Sequence, residues 1–161
     1  GMFSLAVPPG RHQTSGEVWL AHGTQYSVRL GNHDDRDCDA MVWIDGQRVG
    51  FWRVPARSTI DLERPAHDTG CFTFYRLGTP EGEAAALVDG PQLGLVVVTF
   101  MPEVRMPPAD IRFSGARGGT GLSGESAQRF RSVAPLRHDL DGVVTVVARL
   151  GWAEVRPLGG G

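Results

Sequence analysis

Two alternating apolar segments around an Asp-Gly dipeptide constrain the fold of this chain more than any other feature. The segments cover residues 40–44 and 47–51, and Asp45-Gly46 lies between them. Asp-Gly readily adopts the positive φ angles of a type I′ turn, so this run predicts a tight β-hairpin. Similar period-2 segments recur along most of the chain, and no long helical pattern competes with them. The sequence therefore predicts an all-β protein.

The spacing of the segments predicts an antiparallel β-sandwich, jelly-roll-like, with about eight short strands. At most one short helix is expected, near residues 80–89. Thr79 can cap it, and Pro80 suits its first position.

One domain is expected over residues 17–157. It contains a long Pro- and Gly-rich connection at 102–142, follows an N-terminal segment at 1–16 and precedes a flexible tail at 158–161. Gly1 is typical of a remnant of tag removal. Because no signal-peptide pattern and no apolar run of about 20 residues are present, we expect a cytoplasmic protein.

Pairing across the hairpin gives a first functional hypothesis. With a two-residue loop, Trp43 pairs with Arg48 on one face, and Phe51 lies on the opposite, core-facing side. An aromatic and charged face is a candidate ligand platform, and the alternative is a Trp43–Arg48 stack that covers the sheet. A bulge at Gly50 would instead return Trp52 to the core.

The inward positions of the predicted strands define the expected core. These residues are Val42, Ile44, Val49, Ile60, Leu62, Phe72, Phe74, Val96, Val98, Val144 and Val146. Cys38 and Cys71 both fall in predicted strands and are expected as free thiols, because a cytosolic protein keeps its thiols reduced. A Cys38–Cys71 disulfide is the alternative.

A glycine-rich segment at 114–126 is the main candidate for binding. Its glycines allow close backbone approach to a partner, and the alternative is a mobile linker. A Walker phosphate loop needs Lys, whereas all 16 basic residues here are Arg. An esterase elbow needs a second glycine where Gln128 stands. The candidate binding residues offer hydrogen-bonding groups and two guanidinium groups: Arg117, Gly118, Gly119, Thr120, Ser123, Ser126, Gln128 and Arg129.

The acidic loop at 32–39 is a weak calcium candidate through Asp34, Asp35 and Asp37. It lacks the EF-hand spacing, and the alternative is a solvated loop that caps a strand. The five histidines are scattered without metal-ligand spacing. We therefore expect no metal and no cofactor.

Five motifs carry a resemblance to a known family. They are YxVxLxN from Tyr26, IDGxxVGxWRV from Ile44, IxLERP from Ile60, FTF from Phe72 and GGTGLSGxSxQxF from Gly118. In these motifs the chain resembles a family of uncharacterised β-rich proteins, over most of residues 17–150. The resemblance implies that the glycine-rich segment belongs to the family pattern, and it implies no activity and no catalytic residue.

Charge and surface composition bound the function. The formal net charge of −2 offers no general attraction to nucleic acid or acidic membranes, so neither is an expected partner. The leading hypothesis is a module that binds a protein partner or assembles with itself, through the glycine-rich segment or an edge strand. The alternative is a carbohydrate-binding module that uses surface tryptophans, namely Trp19, Trp43, Trp52 and Trp152. A metal-dependent or hydrolytic enzyme ranks third.

Overall fold

A computed structural model of the protein describes residues 1–105 and 134–154. The all-β prediction is confirmed, with eleven strands in these residues rather than about eight. Three of the eleven strands have only two residues. The strands are β1 (Phe3–Ala6), β2 (Arg11–His12), β3 (Glu17–Leu20), β4 (Thr24–Gln25), β5 (Val28–Asn32), β6 (Cys38–Ile44), β7 (Gln47–Val54), β8 (Ser58–Leu62), β9 (Thr73–Phe74), β10 (Leu95–Pro102) and β11 (Val144–Trp152).

Within these residues the strands form three sheets. The six-stranded sheet has the order β2-β3-β11-β10-β6-β7, the three-stranded sheet β1-β5-β8 and the two-stranded sheet β4-β9. All pairs are antiparallel except β3 and β11, which run parallel. The antiparallel prediction is wrong at that pair, and the long connection between the two strands permits the parallel pairing, which a hairpin turn does not. The jelly-roll order stays a prediction.

The N-terminal segment is part of the folded domain. Residues 1–16, which we expected to precede the domain, supply β1 and β2 to the two larger sheets. The Phe3 ring stacks on Phe100 of the six-stranded sheet, with 4.9 Å between the centroids. This buried aromatic pair therefore joins the two larger sheets, and the folded domain includes residue 3.

One hydrophobic core lies between the two larger sheets. Six predicted core residues are buried: Val42, Ile44, Leu62, Phe72, Val96 and Val98. Four more pack against the core while partly buried: Val49, Ile60, Phe74 and Val146. Val144 is 40% exposed, so its assignment is wrong. It lies at the start of β11, whereas β3 borders only the last residues of that strand.

The predicted hairpin turn is confirmed. Asp45 and Gly46 have φ angles of 55° and 79°, as a type I′ turn requires. Trp43 pairs with Arg48 as predicted, but Val42 then pairs with Gly50, so Val49 is an extra, bulged residue.

The bulge inverts the faces of β7. Phe51 pairs with Met41 and is 41% exposed, whereas Trp52 packs against the core. The core-facing prediction for Phe51 is therefore wrong, because one inserted residue moves every following side chain to the other side. The Arg48 guanidinium carbon lies 6.0 Å from the centroid of the Phe51 ring, where a stack on Trp43 was expected.

One short helix, α1 (Pro80–Ala84), lies where the sequence predicts it. Thr79 caps it, because its hydroxyl accepts the Gly82 N–H at 3.1 Å. The helix is shorter than the predicted range, and Ala86 already has a φ of 60°. Residues 140–142 add a single 3₁₀ turn. In the described chain, no helix is long and apolar enough to cross a membrane.

Both cysteines are free. Cys38 begins β6 and is buried, as a core thiol should be. Cys71 is exposed and lies outside any strand, contrary to the prediction, because β9 begins only at Thr73.

Candidate functional site

The predicted binding residues of the glycine-rich segment lie outside the described residues. The other two, Trp43 and Arg48, are paired in the β6–β7 hairpin. Trp43 belongs to the face of the six-stranded sheet that is turned away from the core, since buried Val42 and Ile44 point the other way. Neither Trp43 nor Arg48 borders the cleft described below.

The acidic loop is held by arginine. The buried Asp34 carboxylate accepts hydrogen bonds from Arg36 at 2.8 Å and Arg105 at 3.3 Å. Asp35 accepts two hydrogen bonds from Arg105, at 2.7 and 3.2 Å. Hydrogen bonding to Arg105 and then to Asp34 lowers the pKa of the Asp35 carboxyl to about 2. Asp37 accepts the Ala56 N–H at 2.9 Å. In residues 1–105 and 134–154, no cluster of three His, Cys, Asp or Glu side chains is arranged to hold a metal ion.

The same network fixes neighbouring parts of the chain. Asp39, also buried, accepts a hydrogen bond from Arg53 at 2.7 Å and lies 2.7 Å from Nε2 of His138. Arg36 reaches Asp139 at 3.0 Å. Because these charges are matched by protein partners, the network serves to anchor residues 134–139 against the loop.

A cleft lies beside the hairpin turn. Two adjoining cavities, of about 340 and 710 Å³, share a wall that contains Tyr26 and Asp45. We name the two cavities together the Tyr26 cleft. Its shared lining is mostly aromatic and aliphatic: Tyr26, Asp45, Thr73, Tyr75, Leu87 and Leu93.

The hairpin turn positions the carboxylate of the cleft. Asp45 Oδ1 accepts the Gly94 N–H at 2.7 Å, and the Asp45 N–H donates to the Leu95 carbonyl at 3.1 Å. Gly94 has a φ of 78°, and a Cβ there would lie 2.7 Å from the Leu150 carbonyl oxygen. Any residue other than glycine would force the backbone to shift at this position, so this wall of the cleft requires Gly94.

Tyr26 forms the base of the cleft. Its ring stacks on Phe72, and its N–H donates to the Phe72 carbonyl at 3.0 Å. Burial and then the Asp45 charge raise the pKa of the Tyr26 hydroxyl, which stays protonated at neutral pH. Burial also raises the pKa of the Asp45 carboxyl, against the effect of the Gly94 hydrogen bond. The wall thus carries a neutral phenol and a carboxyl group.

Exposed apolar residues continue the lining at the rim. Leu77 and Trp152 border the smaller cavity and Val88 the larger one, and they are 41, 44 and 77% exposed. The Arg76 guanidinium carbon lies 4.3 Å from the centroid of the Trp152 ring. An apolar cavity with a few polar groups at fixed positions is typical of ligand-binding sites.

Sequence reasoning missed the cleft. The sequence predicts Asp45 as a turn residue and Trp152 as a surface tryptophan, and it singles out neither Tyr26 nor Arg76 as a site residue. No local signal joins these residues, because Trp152 lies more than a hundred residues from Tyr26 and from Asp45 along the chain.

No protein-family model matches this chain, and neither the curated proteins nor the solved structures contain a match to it. The cleft therefore has to be interpreted from its own chemistry. Its smaller cavity offers an apolar surface, the carboxyl group of Asp45, the phenol groups of Tyr26 and Tyr75 and the guanidinium group of Arg76.

Proposed function

We propose that the protein is a binding module that holds an apolar group of a protein partner in the Tyr26 cleft. The observation that carries the proposal is the continuity of apolar lining from the cavity onto the exposed rim of Leu77, Val88 and Trp152. Contiguous exposed apolar surface marks interaction sites in soluble proteins. The smaller cavity, about 340 Å³, is of the size that ligand pockets have.

The apolar surface also indicates the expected affinity. Apolar surface that a ligand covers contributes roughly 25 cal/mol per Å². Loss of the ligand's translational and rotational freedom offsets part of this gain. A probe with one apolar side chain should therefore bind weakly, with a Kd of about 1 mM.

The lining favours a protein partner over a carbohydrate. Leu77, Leu87, Leu93 and Leu150 are aliphatic groups, which suit an apolar side chain. Sugars stack on open aromatic faces, whereas Arg76 lies over the Trp152 ring. Trp52 packs against the core, so it offers no platform either.

Self-association is a second candidate, favoured by the outer face of the six-stranded sheet. The register places Trp19, Phe51 and Val147 on that face, and all three are exposed. Light scattering should then find a dimer or larger species that Val147→Glu dissociates and Val88→Glu, at the cleft rim, does not. A monomer at all concentrations would exclude this candidate.

The cytoplasmic location stays a prediction.

Ligand-observed saturation-transfer NMR tests the cleft proposal, with N-acetyl-L-leucinamide as the apolar probe and cellobiose as the sugar. The leucine probe should bind the wild type, bind Leu77→Ser less and bind Leu140→Ser normally. Leu140 is a matched control because it is exposed and lies outside the cleft. Equal binding by both variants would contradict the proposal, and binding of cellobiose alone would favour the carbohydrate alternative.

A further inference from the structure

Two unlike charges border the smaller cavity of the Tyr26 cleft. The Asp45 carboxylate accepts the backbone N–H of Gly94, and the Arg76 guanidinium lies over Trp152. Neither side chain forms an ion pair within the described parts of the chain. Both line the same cavity, so a ligand in it meets one charge of each sign.

Strand β11 indicates how far apart the two charges lie. Asp45 is held at Gly94, whose carbonyl accepts the Leu150 N–H at 2.7 Å. Arg76 lies over Trp152, two residues further along the same strand. These two strand residues are roughly 7 Å apart along β11. The two charged groups themselves lie more than 4 Å apart, since they form no ion pair with each other. An apolar wall that includes Phe74 and Leu93 lines the same cavity.

We infer that the cleft binds a dipolar ligand, with an ammonium group at Asp45, a carboxylate at Arg76 and an apolar stem between them. This inference rests on the proposed function of the cleft as a binding site. The required spacing occurs in 6-aminohexanoic acid and, with the same number of carbons between the charges, in a C-terminal lysine. A guanidinium group binds a carboxylate strongly through charge-assisted hydrogen bonds. A carboxylate with aromatic rings nearby binds an ammonium group strongly as well.

Calorimetric titration with three matched probes tests the inference: 6-aminohexanoic acid, hexylamine and hexanoic acid. The dipolar probe should bind about 5- to 10-fold more tightly than either singly charged probe, because it forms one additional charge pair. A peptide that ends in a free lysine, compared with the same peptide amidated at its C-terminus, tells a protein terminus from a free ω-amino acid. In either source the free carboxylate should be required.

Two variants assign the charges to their residues. Asp45→Asn keeps the turn, since Asn-Gly also forms type I′ turns. Asp45→Asn should reduce the affinity for 6-aminohexanoic acid to that for hexanoic acid. Arg76→Gln should reduce the affinity for 6-aminohexanoic acid to that for hexylamine. The matched control is Arg48→Gln, which changes an arginine outside the cleft and should leave all three affinities unchanged.

The outcomes separate this inference from the proposed function. Equal affinity for the three probes would overturn the inference and leave the cleft an apolar site. Binding of N-acetyl-L-leucinamide without binding of 6-aminohexanoic acid would do the same. If no probe binds, both the inference and the proposed function fail.

Discussion

Asp45 and Gly94 are joined by a 2.7 Å hydrogen bond from the Gly94 N–H to the Asp45 carboxylate. The bond ties the type I′ turn of the β6–β7 hairpin to the residue that precedes β10. Because Asp45 also lines the Tyr26 cleft, one side chain both fixes the wall and supplies its charge. The stability of this junction and the shape of the cleft should therefore change together.

Gly94→Ala should destabilise the protein by more than about 2 kcal/mol, because it combines an unfavourable positive φ with a clash against the Leu150 carbonyl. Gly23 is the matched control: its φ is 81°, and a Cβ there meets no atom within 4 Å. Gly23→Ala should cost only about 1 kcal/mol. Urea unfolding measures both changes, and equal losses would show that the close approach to Leu150 is unimportant.

Val98→Ala and Val144→Ala compare a buried position and an exposed position of the predicted core. Val98 is fully buried in β10, and its truncation should cost about 2–3 kcal/mol through lost burial and a cavity. Val144 is 40% exposed, so the same change there should cost less than about 1 kcal/mol. Denaturant midpoints give the comparison, and a larger loss at Val144 would contradict the assigned core.

Arg36→Met should destabilise the protein by about 3–5 kcal/mol, because it removes a main partner of the buried Asp34 carboxylate. Arg29→Met is the control, since it breaks a two-point pair with Asp61 on the exposed surface. We expect no measurable loss there. Thermal unfolding checks both variants. If Arg36→Met left the unfolding temperature unchanged, Arg105 and solvent alone would be enough to satisfy the Asp34 carboxylate.

The two thiols should differ in reactivity. Burial, with smaller effects of Asp39 and Asp37, raises the pKa of Cys38 to about 12. A chromogenic disulfide reagent at pH 8 should therefore detect one thiol in the native protein and two in urea. Cys71→Ser should leave none accessible in the native state. Two reactive thiols in the native wild type would contradict the burial of Cys38.

The same pKa shift gives stability a dependence on alkaline pH. An unfolded chain ionises Cys38 near its ordinary pKa of 9.0, whereas the folded chain keeps the proton up to about 12. The contribution of this thiol is full below pH 9 and is lost as the pH rises toward 12. Cys38→Ala should flatten the decline of the unfolding free energy in this window. An unchanged slope would show that other groups cause it.

The sequence predicts those features of the fold that depend on local chemistry. Asp45-Gly46 requires positive φ angles, and Thr79 with Pro80 marks the start of α1, so both elements are where the pattern places them. The bulge at Val49 is only partly indicated: Gly50 allows a bulge that returns Trp52 to the core, as the structure has it, but the pattern does not require one. It depends on whether Phe51 or Trp52 packs better against the rest of the core, and a period-2 pattern fits either register until the partner sheet is known.

The cleft lies beyond this kind of prediction. It requires Tyr26, Asp45, Arg76 and Trp152 in one place, and long-range strand pairing brings them together. The parallel pairing of β3 with β11, which positions Trp152, is set by the path of the chain through the whole domain. Each of these residues has a sufficient local explanation, so the sequence alone gives no reason to connect them.

A ¹H–¹⁵N NMR titration of the wild-type protein with N-acetyl-L-leucinamide tests binding in the Tyr26 cleft most directly. We expect saturable shift changes in the backbone amides that surround the cleft: residues 73–77, 87–94 and 150–152. Amides of the outer sheet face, such as Val97 and Val147, should stay unchanged. Shift changes confined to that face, or none at all at millimolar probe, would contradict the assignment of the cleft as the binding site.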